Sequence, residues 1–223
     1  MVLWLVWSAA LLLGAYLLGS IATGYWLGYA LKGIDIRQHG SGSTGATNVL
    51  RTLGKGPAIA VLLIDMLKGL LAVLLIGPGL VWASERFLPA GVVDFALWSD
   101  WLRALAGLAA LIGHSKSPWI GFTGGKSVAS SLGVLLALHW PVALGTLGVF
   151  AAVLSLSQIV SLSSIVGAIA VTVFMIAFRQ PVPYLLFAIA GGVYVIVRHR
   201  TNIQRLVAGT EPRIGQKSSQ GPT

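Results

Sequence analysis

Charged residues interrupt this chain rarely, and the gaps between them define its elements. Residues 1–31 carry no charge, and residues 56–84 carry only Asp65 and Lys68. The stretches 104–115, 127–178 and 180–197 are also uncharged. Apolar runs of this kind are membrane-spanning helices, which need about 20 residues to cross the hydrocarbon core. The run 127–178 is too long for one crossing. At about 1.5 Å per residue it would extend roughly 78 Å, against a core of about 30 Å. Pro141, after His139 and Trp140, is one break, because proline removes a helix hydrogen bond. The second is Ser155 to Ser164, with five serines and a glutamine in ten residues. The pattern predicts an all-α polytopic membrane protein with seven transmembrane helices. They fall at about 3–24, 56–80, 99–115, 127–141, 142–156, 162–178 and 183–198. Residues 1–215 form one integral membrane domain and 216–223 a flexible polar tail.

Charge sets the orientation. The segments 32–55 and 116–126 and the tail from 198 hold eleven Lys/Arg and two acids. The segments 81–103 and 179–182 hold Arg86, Arg103 and Arg179 with three acids. Basic residues accumulate in cytoplasmic loops, so the N-terminus is expected outside and the C-terminus in the cytoplasm. The N-terminus lacks the basic flank of a signal peptide and reads as a retained helix. Composition agrees. Of 223 residues 56% are hydrophobic and 9% charged, with net charge +9. Soluble domains carry about 25% charged residues. A soluble enzyme, a disordered chain and a nucleic-acid binder are excluded. With no cysteine there is no disulfide, thiolate metal site or cysteine nucleophile.

Three loops on the expected cytoplasmic side carry candidate chemistry. The first is Gly40-Ser-Gly-Ser-Thr-Gly-Ala-Thr-Asn48, followed by Arg51. Its glycines let backbone N–H groups converge on an anion. Ser41, Ser43, Thr44, Thr47 and Asn48 add donors, and Arg51 a planar fork for phosphate. A flexible linker is the plain alternative. The second is Gly113 to Ser127, in which Gly124-Gly-Lys126 opens a helix and favours an anion there. It is no nucleotide P-loop, since only three residues lie between Gly121 and Gly125 and no strand precedes them. The third is Arg198-His-Arg-Thr-Asn-Ile-Gln-Arg205, with His199 and Asn202 on one helical face, then Glu211. An ordinary basic flank is its alternative. Asp65 and Lys68, three residues apart within the second span, are candidates for a functional role as intramembrane ionisable groups; a structural ion pair in which they neutralise each other is the plain alternative. No His-x4-Asp dyad is present, so a base held by an acidic orienter is hard to build; no His/carboxylate cluster has metal spacing, and no metal or other cofactor is expected. A transporter of a small phosphorylated solute is a rival, but such sites lie near the midplane between repeats, and no repeat is visible.

Taken together these segments resemble the bacterial acyl-phosphate:glycerol-3-phosphate acyltransferase family. The matching pieces are Gly40 to Arg51, Gly113-His114 with Gly124-Gly-Lys126, Ser161-Leu-Ser-Ser-Ile165, and Arg198-His-x-x-Asn202-Ile203 with Arg205 and Glu211. They follow the family's order over nearly the whole chain. The family usually has Asn at Ser43, Gly at Ser127 and Thr at Ser130; Ser127 adds bulk beside Lys126. The resemblance implies an integral enzyme of phospholipid synthesis in the bacterial (inner) membrane, its site facing the cytoplasm. It would acylate position 1 of glycerol 3-phosphate from acyl phosphate, with membrane lipid as its surroundings and no nucleic-acid partner. Ser41, Arg51, Lys126, His199 and Asn202 would be the catalytic set. Gly40, Gly42, Ser43, Thr47, Asn48, Gly124, Gly125 and Ser164 would bind substrate, and Glu211 would be structural. The absence of an obvious base fits an activated donor whose phosphate takes the alcohol proton. His199 is expected to orient phosphate rather than act as a base.

Overall fold

The computed structural model describes residues 1–87 and 93–215; the expected tail 216–223 lies outside them. The described residues are helical with short connections. In chain order the helices are α1 (Val2–Gly19), α2 (Thr23–Lys32), α3 (Ala46–Thr52), α4 (Lys55–Leu74) and α5 (Ile76–Phe87). Then come α6 (Phe95–Ser115), α7 (Val128–Ser157), α8 (Val160–Ala177), α9 (Val182–Arg198) and α10 (Arg200–Val207).

Polarity is inverted relative to a water-soluble protein. Ile59, Leu62, Leu63 and Leu67 on α4, and Val173 and Ile176 on α8, face outward. Ser8, Asp65, Lys68, Ser99, His114, Ser130 and Ser163 are buried. Apolar surroundings favour this arrangement, because polar groups must find partners inside the protein. Among the described residues five helical segments are long and apolar enough to cross a membrane: Val2–Lys32, Lys55–Phe87, Phe95–Ser115, Val128–Ser157 and Val160–Ala177. A sixth arises if α9 and α10, bent by 62°, are taken together.

Each boundary has a local cause. The first helical segment breaks at Ser20–Ala22, earlier than the expected end at residue 24, and resumes as α2. Lys68 Nζ donates to the Ile21 carbonyl freed by that break, at 2.7 Å. The stretch 81–103, expected as a loop, is helical at both ends. Helix α5 runs to Phe87, seated on α1 through Trp7, whose Nε1 donates to Gly79 O at 2.8 Å. Helix α6 begins at Phe95 rather than residue 99, because the Asp94 carboxylate caps it by accepting the Leu97 N–H at 3.1 Å. The charge at Asp94 marks a helix cap and not a loop, because a carboxylate satisfies a free N–H at a helix start.

The break expected at Pro141 is present. Inside α7, His139 has φ −161° and ψ 97°, so the helix comprises two arms across a kink. Along the first arm Ser127 reaches Leu111 and Val134 packs over Gly107, so this arm lies against α6. Along the second, Gly145 lies on Phe174, and Thr146 and Phe150 approach Gly167. The second break, at Gln158 and Ile159, is also as expected. Gln158 takes a left-handed φ of 58°, and α8 begins at once.

Close helix contacts are made by glycine. Gly133 on α7 lies against the Met66 carbonyl of α4, and Gly69 on α4 against the Ser130 carbonyl of α7. Gly113 on α6 rests on the Tyr16 carbonyl of α1. Within membranes such small residues let backbones approach. The α4–α7 crossing fixes where α7 begins, and so where Lys126 sits.

Candidate functional site

The three glycine-rich or basic loops converge on one cavity of about 470 Å³. Its polar end is formed by Ser41, Ser43, Thr47, Arg51, Lys126, Ser164, His199, Asn202 and Glu211. Its other end is apolar, with Leu132, Leu135, Leu147, Phe150, Val171 and Phe187 between α7, α8 and α9.

The first loop is built around Asn48. This side chain is 1% exposed. Its Nδ2 donates to the carbonyls of Ile36 (3.1 Å), His39 (3.0 Å) and Ser43 (2.8 Å), and its Oδ1 accepts the Ser41 N–H at 2.8 Å. Asn48 was expected to bind substrate. Both of its amide protons are committed to holding the loop, and the residue also lines the cavity. Gly40, at φ +60°, packs against the Asn48 amide, and a Cβ there would sit 2.3 Å from Oδ1. Gly40 and Gly42 therefore shape the turn, and neither lines the cavity. Arg51, on α3, is exposed into the cavity and has no hydrogen-bond or ion-pair partner among the described residues.

The second loop rests on the end of α6. The Gly125 N–H donates to His114 O at 3.2 Å. Arg198 Nη2 donates to Gly125 O at 3.1 Å. Gly124 and Gly125 lie beneath the cavity rather than lining it. Ser127, where the family usually has glycine, takes a left-handed φ of 64°. Its Oγ donates to Leu111 O at 2.7 Å and lies 2.7 Å from Ser115 Oγ. Those contacts hold a conformation that usually favours glycine.

The third loop supplies the partners of Lys126. Lys126 Nζ donates to Asn202 Oδ1. Asn202 Nδ2 donates to Glu211 Oε1, and Glu211 also accepts from Ser161 Oγ and Arg205 Nε, each at 2.7 Å. Glu211 thus ties α8 to α10 and also lines the cavity. Burial opposes its ionisation, but hydrogen bonds from Asn202, Ser161 and Arg205 together hold its carboxyl below the usual range. The Lys126 ammonium meets only a neutral amide oxygen. Burial lowers its pKa to about 8; Glu211 opposes this, while Arg205, Arg198 and Arg51 add to it. Below that value it is a cation without a contacting carboxylate, in a cavity with Arg51. That is a field for an anion.

His199 lies at the bend between α9 and α10. Its Nδ1 is 2.7 Å from Val195 O. A carbonyl only accepts, so Nδ1 carries the proton. Burial, with Lys126 and Arg198 nearby, lowers its pKa to about 4. The ring is neutral at pH 7, with Nε2 an acceptor. This changes the expected role: a neutral Nε2 takes a hydrogen bond from a hydroxyl, and meets a phosphate oxygen only when protonated. Ser164 Oγ donates to Val160 O at 2.8 Å and keeps lone pairs for the cavity. Asp65 and His114, which line the cavity, and Arg198, which braces the Gly-Gly turn, are additions to the expected site residues. The only signals were an ion pair inside a span and a histidine next to Gly113.

A family model described as glycerol-3-phosphate acyltransferase matches residues 9–209. The glycerol-3-phosphate acyltransferase of Nostoc sp. (strain PCC 7120) is 62% identical over 214 residues, covering 96% of this chain and 95% of the relative. That of Trichodesmium erythraeum (strain IMS101) is 58% identical over 221 residues, covering 98% and 97%. Among solved structures, the glycerol 3-phosphate form of PlsY (YgiH), an integral membrane glycerol 3-phosphate acyltransferase, superposes with a TM-score of 0.80. It is 38% identical, covering 93% of this chain and 96% of the other. Its lysophosphatidic acid form gives 0.77, at 38% identity and 93% and 95% coverage.

Proposed function

We propose, from the premise that the chain belongs to the glycerol-3-phosphate acyltransferase family, that it transfers a fatty acyl group from acyl phosphate to position 1 of glycerol 3-phosphate. The products are lysophosphatidic acid and inorganic phosphate. One observation carries this reading. Arg51 and Lys126, from separate loops, face a single cavity whose other end is apolar. Two phosphates and one acyl chain fit that division.

The hydroxyl oxygen at position 1 attacks the acyl carbonyl carbon. The bond from that carbon to the phosphate oxygen breaks, and phosphate leaves with the electron pair. The hydroxyl proton passes to a phosphate oxygen. Acyl phosphate is an activated anhydride, so the protein's task is positioning and charge stabilisation. Lys126 neutralises the departing phosphate, and Arg51 with the Ser41 loop holds the phosphate of glycerol 3-phosphate. His199, through Nε2, accepts from the hydroxyl at position 2 and so orients glycerol 3-phosphate, leaving the proton of the attacking hydroxyl free for the phosphate oxygen. Ser43, Thr47 and Ser164 complete the polar wall. Gly40, Gly42, Gly124 and Gly125 serve through the backbone they allow, and Asn48 by bracing its loop.

Purified protein in detergent, given glycerol 3-phosphate with either acyl phosphate or acyl-CoA, tests the donor. Acyl phosphate should support lysophosphatidate formation; comparable turnover with acyl-CoA would overturn the assignment. His199→Gln, which keeps an acceptor, should retain several-fold more activity than His199→Ala. Equal loss in both, with a wild-type acid limb that the variants lack, would make His199 a general base.

We also propose seven crossings in the bacterial inner membrane, with the N-terminus outside and the site facing the cytoplasm. Support comes from the basic residues gathered at the site end and from the two arms of α7. The first arm packs along α6 and the second along α8, which starts beside Glu211. In the natural cysteine-free chain, Ser157→Cys should be labelled only from the cytoplasm and Glu85→Cys only from outside. Labelling of Ser157→Cys from outside would refute the fold-back.

A further inference from the structure

The cavity wall includes Asp65 and His114, two buried titratable groups to which the proposed chemistry gives no part. Asp65 Oδ1 lies 2.8 Å from Lys68 Nζ and accepts from Thr23 Oγ1 at 3.2 Å. Both side chains of the ion pair are at most 3% exposed. His114 Nδ1 lies 3.8 Å from the same carboxylate oxygen and has no hydrogen-bond partner. The other edge of the ring faces the Gly-Gly turn. A Cβ on Gly125 would sit 2.1 Å from His114 Nε2 and 3.0 Å from Cε1. Gly125 does not have a left-handed φ. Its need for glycine therefore comes from the His114 ring and not from its own backbone. Gly124 differs. A Cβ there would sit 2.1 Å from His114 O and 3.0 Å from Ser115 C, both backbone atoms.

We propose that His114, seated beside the buried Asp65–Lys68 pair, is a positioning residue that sets where the Gly124–Lys126 turn stands in the cavity. The ring is a stop: the turn settles against Nε2, and Lys126 extends from that height toward Asn202. The inference rests on the proposed function, in which Lys126, at the end of this turn, meets the departing phosphate. Removing the ring should therefore act on acyl phosphate and leave glycerol 3-phosphate binding alone.

The test is a size-exchange cycle on the full-length protein in detergent, with Gly125→Ala, Gly124→Ala, His114→Ala and the double variants. Each is measured for KM of both substrates, kcat and thermal unfolding. Gly125→Ala should cost about tenfold or more in kcat/KM, the effect of overpacking a tight contact. His114→Ala should raise KM for acyl phosphate several-fold while changing kcat and KM for glycerol 3-phosphate little. In the His114→Ala background, Gly125→Ala should cost no more than about twofold, since neighbours that share space are non-additive. Gly124→Ala should cost the same in both backgrounds. Equal cost of Gly125→Ala in both backgrounds, or equal rescue of Gly124→Ala, overturns the proposal. His114→Ser provides a second truncation; loss of fold in both would make His114 a core residue and also overturn it. If the wild type fails to use acyl phosphate, the functional reading falls, while the same suppression pattern in unfolding temperature still decides the packing relation.

Discussion

Lys126→Ala should lower kcat/KM by at least ten- to a hundredfold, and Arg51→Ala should do the same. A charge-assisted contact contributes about 1.5–3 kcal/mol, and about 1.4 kcal/mol is a factor of ten. The lower bound applies to a wet site. Lys126 is buried enough to move its pKa to about 8, and in such a site an uncompensated phosphate is worse off. The pH dependence follows from the sign of that shift. Lys126 is charged below about pH 8 and loses its proton above it, so kcat/KM should fall on the alkaline side near that value. Lys126→Arg keeps the charge, because a guanidinium does not lose its proton in proteins. It should move the alkaline limb upward while costing some rate, because a planar fork does not reproduce a point charge. An unchanged limb in Lys126→Arg would show that another group titrates there. Activity of Arg51→Ala within threefold of wild type would remove Arg51 from the phosphate site.

Gly133→Val should destabilise the protein by about 3 kcal/mol or more, at the upper end of what overpacking costs. Even a bare Cβ at Gly133 would sit 1.8 Å from the Met66 carbonyl oxygen and 2.8 Å from the Leu70 nitrogen. Those are backbone atoms of a continuous helix and have no rotamer to yield. Helices α4 and α7 would have to separate, dragging Lys126 from Arg51. Thermal unfolding in detergent should show the loss, with activity falling in step. Gly148→Val on the same helix, where no heavy atom lies within 4 Å, should be tolerated. If both variants unfold alike, the tight crossing is not what matters.

Sequence alone sufficed for the class, the long apolar helical runs with their breaks, and the loops that carry chemistry. Apolar surroundings leave few options, so long uncharged runs become helices and Pro141 and the Ser155–Ser164 stretch become breaks, as His139 and Gln158 show. It also singled out Arg51, Lys126, His199 and Asn202, because basic and hydrogen-bonding groups have few reasons to cluster in so apolar a chain. Local charge misled at the edges of α5 and α6, where Glu85, Asp94 and Asp100 belong to helices or their caps rather than to a loop. Side-chain direction was beyond its reach. Whether Asn48 faces a ligand or its own loop depends on three carbonyls at positions 36, 39 and 43, which only the folded turn brings together. The neutral tautomer of His199 depends on Val195 and on burial by neighbouring helices. The tertiary structure alone placed His114 under Gly125, with an ion pair from α4 beside it. Such contacts join residues far apart in the chain, and their distances are set by how closely glycine lets the helices pack.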